Sequence, residues 1–243
     1  AAGTAGLSGC GGPRVSFPYP SELGSYGERA GLPKVHLAEV VDLRATDQRE
    51  GRGRFLGITY PADDAWEQPV ADAYRAALAK DLTQTRLVEL VPLPRQADYA
   101  LSAEIHSFSC RLERSALAFV LPVAVGMGGG LAFGKTNSDR LKTGAVLGAA
   151  CLIGVPMPTQ NRAECEVRLT LRDRDGEVVW QQACLGEIEE RVFVSATARE
   201  DRKLAEKYLP RAVKRCNACL LGQLRQFLRE REPAEAAPAA DGS

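Results

Sequence analysis

Two groups of residues have side chains and spacing that fit known chemistry. Gly129-Gly130-Leu131-Ala132-Phe133-Gly134-Lys135-Thr136 fits the pattern G-x-x-x-x-G-K-[ST]. Between a strand and a helix, that pattern wraps phosphates in backbone N–H groups. Its lysine reaches their charge and its hydroxyl holds Mg²⁺. Here the setting does not fit. Glycines and Pro122 break the lead-in, no apolar strand ends in an obvious Asp partner, and Asn137-Ser138-Asp139 reads as a turn where a helix should begin. A Gly-rich helix end followed by an interfacial Lys135 is preferred, with P-loop nucleotide binding as a remote alternative. The second group, Cys216-x-x-Cys219, is half of a zinc or redox motif. The other half is absent, and the only histidines are His36 and His106. No G-x-S-x-G, H-E-x-x-H or supported acid pair occurs, so the chain is expected to be non-enzymatic with no metal.

A third cysteine is placed for covalent modification. Leu7-Ser8-Gly9-Cys10 follows a run of small residues, Ala1 to Gly6. It resembles the lipobox that ends a bacterial lipoprotein signal peptide. The resemblance implies that Cys10 is acylated, that residues 1–9 are a signal-peptide remnant, and that covalent lipid such as palmitate is the only non-protein group. Gly11, where some sorting signals place Asp, is similar to chains destined for the outer membrane.

The other cysteines are Cys110, Cys151, Cys165, Cys184, Cys216 and Cys219, an even number that an oxidising compartment could pair. Cys110, Cys165 and Cys184 fall in segments that read as strands, so one cross-strand disulfide among them is a candidate. Cys216 and Cys219 are further candidates on the closing helix. Buried free thiols packing as small apolar groups are the alternative.

Lys+Arg and Asp+Glu both number 31 in 243 residues, for a net charge of zero. That excludes the broad basic footprint of a nucleic-acid binder and gives no polybasic lipid anchor.

These residues need a scaffold. Residues 10–33 read as the lipid anchor and a flexible tether rich in Gly, Pro, Ser and Tyr. A first strand carries Val35, Leu37, Val41 and Leu43 on one face, interrupted by Glu39. Phe55 to Tyr60 is a second strand candidate. Val70, Tyr74, Leu78 and Leu82 recur every four residues and predict a core-facing helix to about Gln84. Arg86 to Val91 reads as a strand that Pro92 ends. Asp98 to Arg111 and Glu164 to Arg172 alternate as half-buried strands. Asp175-Gly176 turns the second of these into Glu177 to Val192. Glu200 to Leu209 is a short helix, and Pro210 starts or kinks the next, which carries Val213, Cys216, Leu220 and Leu224. Residues 231–243 read as a disordered tail. The class is α+β: a mixed sheet of about five to six strands with two main helices on one face, over residues 34–230.

Residues 115–161 interrupt that body as a hydrophobic insertion. The first uncharged run carries Leu117, Phe119, Val120, Leu121, Val123, Val125, Leu131 and Phe133. The polar turn Lys135 to Lys142 follows. The second run carries Val146, Leu147, Leu152 and Ile153. Each run approaches the roughly 20 residues that cross a bilayer. Pro122, Pro156, Pro158 and several glycines shorten any regular helix. Insertion into a membrane as a hairpin is preferred, and burial between subunits or as an internal helix pair stays open. Under any of these, the apolar surface must meet something beyond its own sheet.

The strand ending Val41-Asp42-Leu43-Arg44, the helix Val70 to Leu82, the run Ala97-Asp98-Tyr99-Ala100-Leu101-Ser102-Ala103-Glu104-Ile105, the hairpin Leu169–Asp173 to Val178-Val179-Trp180 and the closing helix together resemble one family. It is the periplasm-facing outer-membrane lipoproteins with a CsgG-, LpoB-, PelC- or TolB-N-like α/β domain, YajG-like lipoproteins included. Ala103 stands where that family usually has glycine. The resemblance implies assembly rather than catalysis: a homo-oligomeric scaffold or channel component of an envelope complex for export, surface structure or a motor. Its partners would be the membrane and other envelope proteins. A monomeric regulator of a cell-wall enzyme is the alternative.

Overall fold

The computed structural model describes residues 14–20, 23–26, 31–51, 53–54, 57–114, 136–154, 156–195 and 197–231, with isolated positions 120, 124 and 128. Of 141 and 148–154 it describes the backbone alone. Residues 1–13 with Cys10, most of the first apolar run and residues 232–243 lie outside the described residues.

Strand β5 (Tyr99–Arg114) is the axis of the sheet. On one side it pairs antiparallel with β6 (Met157–Arg172) along nearly its whole length, and β6 pairs antiparallel with β7 (Val178–Val194). On the other side its first half runs parallel to β1 (Lys34–Asp42) and its second half antiparallel to β3 (Gly57–Tyr60). The two-residue strands β2 (Gly53–Arg54) and β4 (Glu89–Leu90) extend β3 and β1. The sheet is therefore mixed, as expected, with seven strands among the described residues.

Helices α2 (Val70–Thr85) and α4 (Ala198–Glu230) share one core with the inward residues of β5 and β6. The α2 stripe is as predicted: Val70, Tyr74, Leu78 and Leu82 are all buried. A fully buried side chain of this size contributes roughly 1.5–3 kcal/mol. In β6, Ala163, Cys165, Val167, Leu169 and Leu171 face this core, while Arg162, Glu166 and Arg168 face solvent. Cross-strand charge pairs lace that outer face, Arg168 with Glu104 and Arg162 with Glu187.

Two of the three register shifts among the described strands bear on the sequence reading. One, between Leu37 and Val40, explains the interruption at Glu39: Val35, Leu37 and Val40 pack on the core, and Leu43 is left exposed. The other lies between Ile105 and Ser107. The short helix α1 (Thr46–Glu50) serves it. Gln48 accepts the Phe108 N–H at 3.2 Å and donates to Ser107 Oγ at 3.0 Å.

Three boundaries differ from the sequence reading. Helix α4 is continuous through Pro210, 33 residues long, because burial of its long apolar stripe outweighs one missing backbone donor. Strand β6 begins at Met157, so residues 157–161 belong to the sheet and not to the insertion. Met157 and Thr159 are buried against the body. The segment expected as a polar turn, Lys135 to Lys142, is largely helix: α3 (Asn137–Gly154) starts there. Thr136 caps it, its hydroxyl accepting the Asp139 N–H at 3.2 Å and donating to the Asp139 carboxylate at 2.7 Å.

Candidate functional site

The described part of the expected tether is not loose. Residues 14–20 and 23–26 form a strap docked on the body. Val15 is 1% exposed, donates to Ala65 O at 2.7 Å and accepts from Glu67 N at 3.1 Å. Phe17 stacks on Tyr19 and reaches Phe108 with ring centroids 5.5 Å apart. Ser16 binds Glu206, Tyr19 meets Lys214 and Asn217, and Tyr26 lies under Arg225, its ring 4.5 Å from the guanidinium. The strap thus follows α4 from its first third to its last. Nineteen helical residues span roughly 28 Å, and ten residues of extended chain reach up to about 34 Å.

Its middle is held by a buried polar cluster. Asp81 of α2 is 0% exposed. It accepts from Lys214 Nζ at 2.6 Å, from Asn217 Nδ2 at 2.7 Å and from the Tyr19 hydroxyl. The Tyr74 hydroxyl donates to Asn217 Oδ1 at 2.9 Å. Burial, with the hydrogen bond and charge of Asp81, pushes the Tyr19 hydroxyl far above its ordinary value, so it stays a donor. The cluster joins strap, α2 and α4. Both carboxylate oxygens of Asp81 are engaged, which locks the strap to α2 and α4.

The roots of the insertion emerge at one pole, where β5 ends and β6 begins. Arg114, the last residue of β5, binds Asp201 of α4 at 2.6 Å, and both are buried. Burial raises the Asp201 carboxyl above its ordinary value despite the arginine. Glu206, the strap's first partner on α4, lies little more than one helical turn beyond Asp201. Arg14, four residues after Cys10, lies instead with Asp42 and Arg44, and Asp42 is in register with Ile105, well along β5 from Arg114 at the insertion pole. The same pole carries Phe193, 74% exposed, across from Pro158 in the register. A cleft of about 600 Å³ opens there between Arg114, Thr159, Val192 and Phe193.

Helix α3 belongs to the insertion. It is uncharged beyond Lys142, Val146 is 68% and Leu147 37% exposed, and none of the described elements packs substantially on it. Val120, at an isolated helical position, is 62% exposed. No helix among the described residues is long and apolar enough to cross a membrane. Leu117, Phe119, Leu121, Val123, Val125, Leu131, Phe133 and Lys135 lie outside the described residues, as do the side chains of Cys151, Leu152 and Ile153.

The cysteines sort by register. Cys184 of β7 is bonded to Cys219 of α4, with Cα atoms 6.2 Å apart. Cys110, Cys165 and Cys216 are buried thiols. The cross-strand candidate does not form: Cys110 faces Ala163, Cys165 faces Phe108 and Gly186, and Cys184 faces Val167, so no two share a position. Burial pushes the Cys110 thiol well up, which keeps it protonated.

The remaining candidates do not assemble. Thr136, the proposed Mg²⁺ ligand of the nucleotide motif, caps α3 instead. The helix expected to be missing after that motif is present, but most of the motif lies outside the described residues. His36 Nδ1 lies 3.3 Å from Val91 O, and His106 lies beside Glu104 on the solvent face. Among the described residues no three His, Cys, Asp or Glu side chains could hold a metal. A second cleft, about 430 Å³, is walled by Arg14, Asp42, Arg44, Arg49 and Asp63. Arg44 binds Asp42 at 2.7 Å and Asp63 at 2.5 Å, and Arg49 binds Asp63 at 3.0 Å. Burial raises the Asp42 carboxyl, but the hydrogen bonds and charge of Arg44, with the charge of Arg49, outweigh it and hold it below its ordinary value. Sequence inspection missed both this cluster and the Asp81 lock. The one local signal was Asp81 in an apolar helix stripe, where a charge must have a partner.

The fold defines a class: an α+β body with a docked N-terminal strap and an apolar insertion between β5 and β6. No family model and no curated protein matches the chain. Several solved structures are similar. Protein XCC0632 from Xanthomonas campestris shares 12% identity, with 90% of this chain and 93% of that one covered, at a TM-score of 0.44. A Helicobacter pylori protein described as a neuraminyllactose-binding hemagglutinin homologue shares 9%, covering 89% and 95%, at 0.42. A Caulobacter crescentus protein described as a lipoprotein shares 14%, covering 80% and 93%, at 0.36. Likenesses this distant carry no argument, and the function rests on the chain's own residues.

Proposed function

We propose that the chain is a bacterial envelope lipoprotein, anchored through acylated Cys10 and facing the periplasm from the outer membrane. It acts without catalysis as an oligomeric scaffold or channel component of an envelope complex. One observation carries the reading. The strap that continues from Cys10 is docked on the body, and the insertion between β5 and β6 leaves apolar side chains exposed. The lipid anchor holds the body at a membrane, where Val120, Val146, Leu147 and Phe193 meet the bilayer or neighbouring copies. Acyl chains on one protomer anchor it, and several anchored protomers strengthen attachment multiplicatively.

The test is fractionation and native mass of the full chain expressed with a lipoprotein signal peptide. The wild type is expected in the outer-membrane fraction and, in detergent, as a closed homo-oligomer. C10S is expected in the soluble periplasm. A wild type that fractionates as C10S does would overturn the anchor. A monodisperse monomer in detergent would overturn the scaffold and favour the regulator of a cell-wall enzyme.

A further inference from the structure

Strand β7 and helix α4 approach most closely at Gly186. A Cβ there would lie 2.0 Å from Ala212 O, 2.5 Å from Cys216 N and 3.0 Å from Cys216 Cβ. Cys216 therefore occupies the space that the missing side chain leaves. The register partner of Gly186 across the sheet is Cys165. Cross-strand Cβ atoms lie roughly 5 Å apart, which puts Cys165 on the core side next to Cys216, whose thiol donates to Cys184 O at 3.2 Å. A disulfide needs Cβ atoms about 3.5–4.5 Å apart, and both cysteines flank the space left by the missing Gly186 side chain. One helical turn further on, Cys219 already holds Cys184.

From this juxtaposition we infer that Cys165 and Cys216 form a second disulfide under oxidising conditions, joining β6 to α4 beside the Cys184–Cys219 bond. The inference rests on the exported reading only for where the bond forms in the cell. In the reaction each thiol loses its proton and the pair loses two electrons. One S–S bond forms, and a disulfide oxidant, a protein or glutathione disulfide, is reduced to two thiols. Both thiols are 0% exposed, and burial with the neighbouring sulfur holds Cys165 protonated in the folded state. The bond therefore forms while β6 and α4 are closing, and once formed it resists reductants. Cys110, with no cysteine in register, stays a thiol and serves as internal control.

Tryptic mapping tests this on the intact chain, both purified from cells and reduced, unfolded and refolded in a glutathione redox buffer. Free thiols are alkylated under denaturing conditions before digestion. Cys165 falls in peptide 163–168, Cys184 in 175–191, and Cys216 with Cys219 in 216–225. The expected product of refolding is one species of three peptides held by two disulfides, with fragmentation placing Cys165 on Cys216. The two-peptide species 175–191 with 216–225, together with 163–168 alkylated at Cys165, would overturn the inference, as would Cys165 bonded to Cys219. The refolding arm involves no cell, so it reads the bond whether or not Cys10 is lipidated; acylation of Cys10 is scored separately. C165A is expected to melt roughly 5 °C lower than wild type when oxidised and to differ far less when both are reduced. An equal difference in both states would assign Cys165 to packing alone.

Discussion

Ser16 donates both its backbone N–H and its hydroxyl to one carboxylate oxygen of Glu206, at 3.2 and 3.1 Å, across 190 residues of sequence. The contact fixes where the N-terminal strap joins the body. Glu206→Ala is expected to cost about 1–2 kcal/mol, as for hydrogen bonds to a charged group. Cleavage near Arg14 in limited proteolysis should rise in parallel. Unchanged cleavage would mean that Val15 and the aromatic contacts hold the strap alone.

The Asp81 lock should be far more sensitive. Asp81→Ala leaves the Lys214 ammonium buried without its partner and removes the acceptor of Tyr19 and Asn217. Loss of about 3–5 kcal/mol is expected in urea unfolding. Tyr19→Phe, which removes one donor, should cost about 1 kcal/mol. Similar losses for both would show that the cluster is not organised around the carboxylate.

The sequence revealed some of this plainly. The α2 stripe and the alternation of β5 and β6 are readable because each side chain's neighbours lie within a turn or across one hairpin. The strap is not readable. Its partners, Ala65, Asp81, Glu206 and Arg225, are distant in the chain, and its Gly, Pro and Ser suggest an extended linker. The first residues of β6, Met157 to Asn161, look like insertion because Pro156 and Pro158 break the pattern and no charge marks a solvent face. Pro210 misleads for the opposite reason: a local breaker is overridden by burial along the rest of α4.

Gly186 is needed for its lack of a side chain. Gly186→Ala would drive a methyl group into the α4 backbone at Ala212 and Cys216. Neither strand nor helix can retreat without opening the core, so a loss of at least about 3 kcal/mol is expected, at the upper end of overpacking. Thermal melting checks it; an unchanged midpoint would mean that α4 slides freely over β7.

Two aspartates give opposite pH dependences. The folded Asp42 carboxyl lies below its ordinary value of 3.8, so its contribution is complete above that value and is lost as pH falls through the folded one. Asp201 is raised, so its contribution is complete below 3.8 and is lost as pH rises through its folded value. Melting profiles between about pH 2 and 6 should lose part of their acid limb in Asp42→Asn. In Asp201→Asn they should lose a decline running the other way. The same profile in Asp42→Asn as in wild type would assign the acid limb to other carboxylates.

The central claim is that acylated Cys10 anchors the docked strap, and with it the body, to a membrane. Intact mass and N-terminal peptide mass of the mature protein, isolated from its native envelope, test it most directly. The predicted result is a chain beginning at Cys10 and carrying the mass of covalently attached acyl groups. A mature chain in which Cys10 is an internal residue with a free thiol would contradict the account.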